Sequence, residues 1–207
     1  METVLIFAGG ETTPNSLIDE LPECDLVIAA DSGYDLALSQ GSAVDVLIGD
    51  MDSITAETIP DHVIVERHPT DKDQTDLALA LERASAEQPA RIVVVGGGGG
   101  RLDHEIATAT LLTSSRWVDV AEIDWVTTRG WAYVVRGRRI IHGDIGATIS
   151  LIPMGGAALG VTTHGLHWDL SGAVLEHGTT HGVSNVFESP IVDIKVNEGC
   201  VLVVVPG

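Results

Sequence analysis

"RIVVVGGGGG", residues 91–100, is a short apolar run that breaks directly into five glycines. A run of this length bounded by a turn signal fits a buried strand, and glycine, lacking a β-carbon, lets the backbone reach positive φ and approach a ligand closely. The same layout recurs in "TVLIFAGG" (3–10), "DLVIAADSG" (25–33) and "DVLIGDMDS" (45–53), each an apolar run ending at Gly or Asp. Between them, "TDLALALERA" (75–84) places Leu77, Leu81 and Ala84 at helical spacing. This alternation predicts a parallel α/β sheet. Ligands of such sheets bind at the carboxyl ends of the strands, which is where the Gly and Asp clusters fall.

Past residue 130 the texture changes. "WAYVVRG" (131–137), "RRIIHGD" (138–144), "ATISLIPMGG" (147–156), "GVTTHGLHWDL" (160–170), "SPIVDIKVNEG" (189–199) and "CVLVVVPG" (200–207) are short strand-like segments punctuated by glycine. Without a helical period they predict an all-β sandwich or barrel. Two domains are expected, an α/β nucleotide-binding and catalytic domain over 1–130 and an all-β domain over 138–207.

Composition narrows the function classes. Over 207 residues, 11 Lys and Arg stand against 30 Asp and Glu, a formal net charge of −19. A general electrostatic grip on nucleic acid or anionic lipid is disfavoured, so a phosphate ligand is expected to arrive with a metal. The only cysteines, Cys24 and Cys200, support neither a disulfide framework nor a paired-cysteine zinc site. "METVLIFAGG" has no basic leader and too short an apolar run for a signal peptide or membrane span. The expectation is a cytoplasmic protein with its first strand at the N-terminus.

Several strand ends carry residues fit for chemistry. Asp50 and Asp52 in "DVLIGDMDSI" stand two apart in an extended turn, so both side chains can project to one side. Converging carboxylates suit Mg2+, which binds one or two of them and takes its other ligands from water and substrate phosphate; turn aspartates bonded to their own backbone are the alternative. "HPTDKDQTD" (68–76), after the strand expected in "HVIVERH" (62–68), crowds Asp71, Lys72, Asp73 and Asp76 before a helix. Capping by Asp73, with Thr75 and Asp76 in the first turn, explains part of this cluster. Amides and a lysine for phosphate, with carboxylates for a cation, use all of it. Beyond the glycines, Arg101 can fork onto phosphate, while Asp103 and His104 sit at a helix start. The run fits neither GxxxxGK[ST] nor GxGxxG, "HEIAT" lacks the second histidine of HExxH, and no GxSxG elbow occurs. Asp31, Gly33 and Asp35 in "AADSGYDLAL" (29–38) offer a helix cap or a ligand contact. In the second half, Trp168 lies between His167 and Asp169 and is either core or a ring face for a flat or cationic ligand. Ser184 and Asn185 in "THGVSNVFES" (180–189) are turn residues or hydrogen-bond donors to that ligand.

Taken in order, these segments resemble the thiamin pyrophosphokinase family from about residue 5 to residue 205. "GDMDS" is similar to that family's GDFDS, "DKDQTD" to DKDxTD, "GGGGGRLDH" to GxxGGRxDH, and "HGLHWDL…GVSN" to TGLxWxL…SN. The resemblance implies an N-terminal Rossmann-like α/β domain and a C-terminal β-sandwich, dimerised so that ATP on one subunit meets thiamin bound partly by the partner. It implies catalytic roles for Asp50, Asp52, Asp76 and Asp103, with Asp50, Asp52 and Asp76, helped by Asp73, holding Mg2+. Asp31, Lys72, Thr75, Gly97, Gly98, Gly99, Gly100 and Arg101 fall on the ATP side. Trp168, Ser184 and Asn185 fall on the thiamin side, with Trp168 stacking on the vitamin. The implied reaction is Mg2+-dependent transfer of pyrophosphate from ATP to thiamin, giving thiamin diphosphate and AMP. The family's ADGGANR reads "ADSGYDL" here, Met51 replaces phenylalanine, and His164 stands where threonine is usual. A metal-dependent nucleotide pyrophosphohydrolase and a non-catalytic nucleotide or vitamin sensor stay open as alternatives.

Overall fold

A computed structural model describes residues 2–120 and 122–207. The chain divides into two compact units, one of residues up to Thr108 with Asp119–Thr128, the other of Ala109–Val118 with Arg129–Gly207.

The first unit holds six strands: β1 (Thr3–Ala8), β2 (Leu26–Ala30), β3 (Val46–Gly49), β4 (Ile64–Arg67), β5 (Arg91–Gly96) and β6 (Glu122–Thr127). They pair in parallel in the order β4-β3-β2-β1-β5-β6. Its helices are α1 (Asn15–Ile18), α2 (Gly33–Ser39), α3 (Asp76–Ala86) and α4 (Leu102–Leu112), the last of which ends in the second unit. Every residue of β1 is buried, as are Ile92 to Gly96 of β5. That is why these strands read as continuous apolar runs rather than alternating ones. Strand order reverses at β1, with β2 on one side and β5 on the other, which opens a crevice at the carboxyl ends. Edge strand β4 is largely exposed, with Ile64 58% accessible.

Helix α3 follows the expected spacing. Leu77, Ala78, Ala80, Leu81 and Ala84 are buried. Its N-cap is Thr75, not Asp73, because Thr75 sits in extended backbone and its hydroxyl accepts the Ala78 N–H at 3.3 Å. Asp76 in the first turn and Arg83 in the last complement the helix dipole.

The second unit contains β7 (Gly130–Val135), β8 (Arg138–His142), β9 (Thr148–Pro153), β10 (Ala158–His164), β11 (Ala173–Leu175), β12 (Asn185–Val186), β13 (Ile191–Lys195) and β14 (Val201–Pro206). Strands β12-β9-β14-β7 form one antiparallel set and β11-β10-β13-β8 a second. In β8 and β13 every second residue is buried. Both sets feed one core, with Val135, Leu151 and Val203 from the first and Ile141, Val161 and Ile194 from the second. Two sheets closed over a shared core give the sandwich expected from the short strands.

The division departs from the expected bounds of 1–130 and 138–207. Strand β7 belongs with the second unit because it pairs along its length with β14. The end of α4 does too: the Arg136 guanidinium donates to the carbonyls of Leu112 and Ser114, at 3.1 and 2.9 Å, satisfying carbonyls left over at the helix terminus. No helix among the described residues is long and apolar enough to cross a membrane.

Candidate active site

The register of β2 on β3 sets Ala30, the last residue of β2, beside Ile48, so β3 runs one residue further, to Gly49. Asp31 and Asp50 follow those ends. Asp31 takes a positive φ of 47° and donates its N–H to the Ile48 carbonyl at 2.8 Å. Met51 also has positive φ, 67°. That turn folds Asp52 back until its N–H reaches Asp50 Oδ1 at 3.2 Å, while Ser53 Oγ donates to Asp52 Oδ1 at 2.7 Å. Carboxylate oxygens of Asp31, Asp50 and Asp52 thereby lie within 4.8 Å of one another.

The electrostatics of this group are unbalanced. Asp31 Oδ1 is buried with no hydrogen-bond partner. Burial pushes the Asp31 pKa up, and the neighbouring Asp76 and Asp50 charges add to the rise. The Asp50 carboxyl is held below its usual range by the Asp52 N–H and, further down, by Lys72. Lys72 Nζ lies 3.1 Å from Asp76 Oδ1 and 3.6 Å from Asp50 Oδ2, and donates to the Pro69 carbonyl at 3.0 Å. Partial burial works against the Lys72 charge, but the Asp76 and Asp50 carboxylates outweigh it and its pKa rises. Gly49 separates the two sets: a β-carbon there would meet Asp31 Cβ and Asp76 Oδ1, each at 3.1 Å.

The structure therefore brings together Asp31, Asp50 and Asp52, with Asp76 and Lys72 alongside. Asp73 is exposed and outside the group of three, as are Asp71 and Thr75, whose hydroxyl serves the α3 cap. A buried orphan carboxylate oxygen beside two more carboxylates fits a hard divalent cation, because only oxygen donors are present and one lacks any other partner.

The glycine run follows β5, which lies on the other side of β1 from β2. Gly97 N–H donates to the Gly9 carbonyl at 2.8 Å and Glu11 N–H to the Gly98 carbonyl at 3.3 Å, which lays the run against the turn after β1. A β-carbon at Gly96, φ 86°, would stand 2.3 Å from the Ala8 carbonyl oxygen. The Glu105 carboxylate accepts the Gly99 N–H. Arg101 forks onto Asp103, Nε to Oδ1 at 3.1 Å and Nη2 to Oδ2 at 2.5 Å. That bidentate pair lowers the Asp103 pKa to about 2. Gly100 and Arg101 are exposed at the start of α4.

In the second unit Trp168 is 59% accessible, so it is surface rather than core. Its turn is built by Asp169, whose carboxylate accepts from Thr163 Oγ1 (3.1 Å) and the Leu166 (3.0 Å) and Gly165 (3.3 Å) N–H groups. Asn185 is 3% accessible and its amide is turned to the Trp168 backbone, while exposed Ser184 sits at φ 59°. Glu105, beside the glycine run, and His167 and Glu188, beside Trp168, stand next to the candidate residues without having been among them. Only local signals mark them: a carboxylate one turn into α4, and charged neighbours of an exposed tryptophan.

Comparison with known proteins assigns the family. A sequence model described as the thiamin pyrophosphokinase catalytic domain matches residues 18–121, and one described as the thiamin pyrophosphokinase vitamin B1 binding domain matches residues 138–201. The chain belongs to the thiamin pyrophosphokinase family. Thiamine pyrophosphokinase of Bacillus subtilis is 37% identical over 123 residues, 54% of this chain and 55% of that protein. Thiamine pyrophosphokinase 1 of rice (Oryza sativa subsp. japonica) is 28% identical over 167 residues, 72% of this chain and 61% of that protein. The chain thus spans roughly three-fifths of the length of the first curated thiamin pyrophosphokinases it matches. Among solved structures, thiamine pyrophosphokinase from Bacillus subtilis superposes with a TM-score of 0.86 at 27% identity, covering 99% of both chains. Yeast thiamin pyrophosphokinase shares the fold at TM-score 0.77 and 18% identity, over 100% of this chain and 86% of that one. Neither a nucleotide pyrophosphohydrolase nor a sensor gains support from these relatives.

Proposed function

We propose that this chain transfers pyrophosphate from ATP to the primary hydroxyl of thiamin, with Mg2+, yielding thiamin diphosphate and AMP. The observation that carries the reading is the convergence of Asp31, Asp50 and Asp52 around an unpartnered buried oxygen, in a chain of this family. Mg2+ bound there supplies charge neutralisation for the triphosphate. In this reading Asp50, Asp52 and Asp31 would hold the cation with Asp76 beside them, Asp73 stays outside the group, and an acidic protein binds an anion through the cation between them.

Phosphoryl-type transfer needs chiefly positioning and charge stabilisation. Lys72, Thr75, Gly97 to Gly100 and Arg101 are then the triphosphate side, Lys72 and Arg101 as cations and the glycines through close approach of the backbone, since the Gly97 and Gly99 amides are bonded to Gly9 and Glu105 and the Thr75 hydroxyl to the α3 cap. The thiamin hydroxyl oxygen forms its bond to the β-phosphorus as the bridge to the α-phosphate breaks; its proton passes to Asp76 or Asp103, and AMP departs with the electron pair. Asp103, paired with Arg101 and titrating at about 2, is a poor proton acceptor until that pair opens. Trp168 offers its exposed ring for stacking on the vitamin, and Ser184 and Asn185 belong to the same side. The first unit is read as Rossmann-like, from its parallel sheet and strand reversal at β1. A cytoplasmic homodimer is the expected working form, with Cys24 and Cys200, both free, kept reduced.

The test follows AMP in the presence of ATP and Mg2+, with and without thiamin. The reading expects AMP only when thiamin is present. Equal AMP release without it points to hydrolysis, and ATP binding without AMP to a sensor; either rejects the transferase.

A further inference from the structure

An exposed indole is normally free to rotate, and ordering it on a ligand costs affinity. The backbone from which Trp168 projects is held on both sides. Trp168 N–H donates to Asn185 Oδ1 at 3.1 Å, and Asn185 Nδ2 donates back to the Trp168 carbonyl at 2.9 Å. Asn185 Oδ1 also takes the Val186 N–H at 2.9 Å. With its amide committed in this way and only 3% of its surface accessible, Asn185 has little to offer a ligand directly.

The ring itself is restrained separately. His167 stands perpendicular to Trp168, with 4.5 Å between centroids and 83° between planes. His167 Nδ1 lies 2.5 Å from Glu188 Oε1. An antiparallel bridge between Leu166 and Phe187 places His167 opposite Val186 and Glu188 opposite Gly165: His167 N–H donates to the Val186 carbonyl and Glu188 N–H to the Gly165 carbonyl, each at 2.9 Å. The carboxylate is thus anchored to the same turn as the two rings.

We propose that Asn185, His167 and Glu188 are positioning residues for Trp168. Asn185 fixes the backbone from which the indole projects, and the Glu188–His167 pair fixes the plane of the ring. A preset indole favours one flat, cationic heteroaromatic ligand over flexible or aliphatic ones, because stacking then costs no side-chain ordering. This inference rests on the reading of Trp168 as the vitamin's stacking platform.

The experiment combines kinetics with a spectrum of Trp168, obtained as the emission of each protein minus that of the same protein carrying Trp168→Phe. His167→Ala and Glu188→Ala should shift the Trp168 spectrum and raise the thiamin KM about three- to tenfold, with ATP KM and kcat within about twofold. His167→Phe retains an aromatic ring but loses the bond to Glu188, and should raise the thiamin KM as Glu188→Ala does. Asn185→Asp keeps the acceptor for two N–H groups but loses the donor to the Trp168 carbonyl, and should raise the thiamin KM more than the ATP KM. An unchanged Trp168 spectrum and thiamin KM in His167→Ala, or a parental thiamin KM in Glu188→Ala or His167→Phe, overturns the inference. The spectrum is read without thiamin turnover. A shifted spectrum in a protein whose parent makes no thiamin-dependent AMP therefore rejects the transferase reading and leaves the ring restraint standing.

Discussion

Asp31 and Met51 hold positive φ without being glycine, a conformation that costs free energy and persists where the surroundings over-determine it. At Met51 the turn returns Asp52 to Asp50; at Asp31 it aims a third carboxylate at the same place. Because burial raises the Asp31 pKa, its ionised form is disfavoured in the folded chain. That penalty is present above the folded pKa and disappears below the unfolded one. Asp31→Asn removes the charge and keeps the shape. Without metal at neutral pH it should be at least as stable as the parent, while the rise in Tm on adding Mg2+ should vanish. A less stable metal-free variant that keeps its Mg2+ response contradicts the assignment. Asp103 runs the opposite way: Arg101 lowers its pKa to about 2. The pair's contribution is full above the unfolded carboxyl value of about 3.9 and fades as pH falls through the folded one. An NMR titration of the Asp103 carboxyl should show a midpoint near 2, and a midpoint near the ordinary value would refute the pair. The Asp50–Asp52 spacing was legible as a convergent pair. Asp31 joining it was not, because that depends on the β2–β3 register, which no local pattern encodes.

The elements place these residues through close approaches between backbones. Gly33, at the start of α2, has no room for a side chain: a β-carbon there would stand 2.0 Å from the Phe7 carbonyl oxygen in β1. Gly33→Ala must push α2 away from the strand and with it the Asp31 turn. A loss of about 1–3 kcal/mol in urea unfolding is expected, as for other overpacked cores, together with a lower kcat. Parental stability would show that helix and strand are not packed this closely. Helix α3 was legible from Leu77, Leu81 and Ala84 because its buried face is a simple 3.6-residue stripe. Its cap was misplaced by two residues, since Asp73 and Thr75 are both good capping types and only the backbone turn decides between them. Helix α4 was harder to read, for Leu102 and Ile106 are exposed and the helix presents no clean apolar face.

At the scale of the whole chain, the change in texture near residue 130 did mark the passage from parallel to antiparallel strands, because burial on both faces and burial on one face write different patterns. What texture missed is the allegiance of Ala109–Val118, set by the Arg136 contacts with carbonyls 24 and 22 residues earlier. The charge of −19 led to the expectation of a metal-borne anion, and the carboxylates placed to hold such a metal are a small subset of the 30 acidic residues. If those carboxylates and the glycine run together hold Mg·ATP for attack at the β-phosphorus, two phosphates must move as a unit. 31P NMR of the protein with ATP, Mg2+ and thiamin measures this directly. The account predicts AMP and thiamin diphosphate appearing in equal amounts, with neither ADP nor free pyrophosphate. ADP with thiamin monophosphate, or AMP with free pyrophosphate, would contradict it.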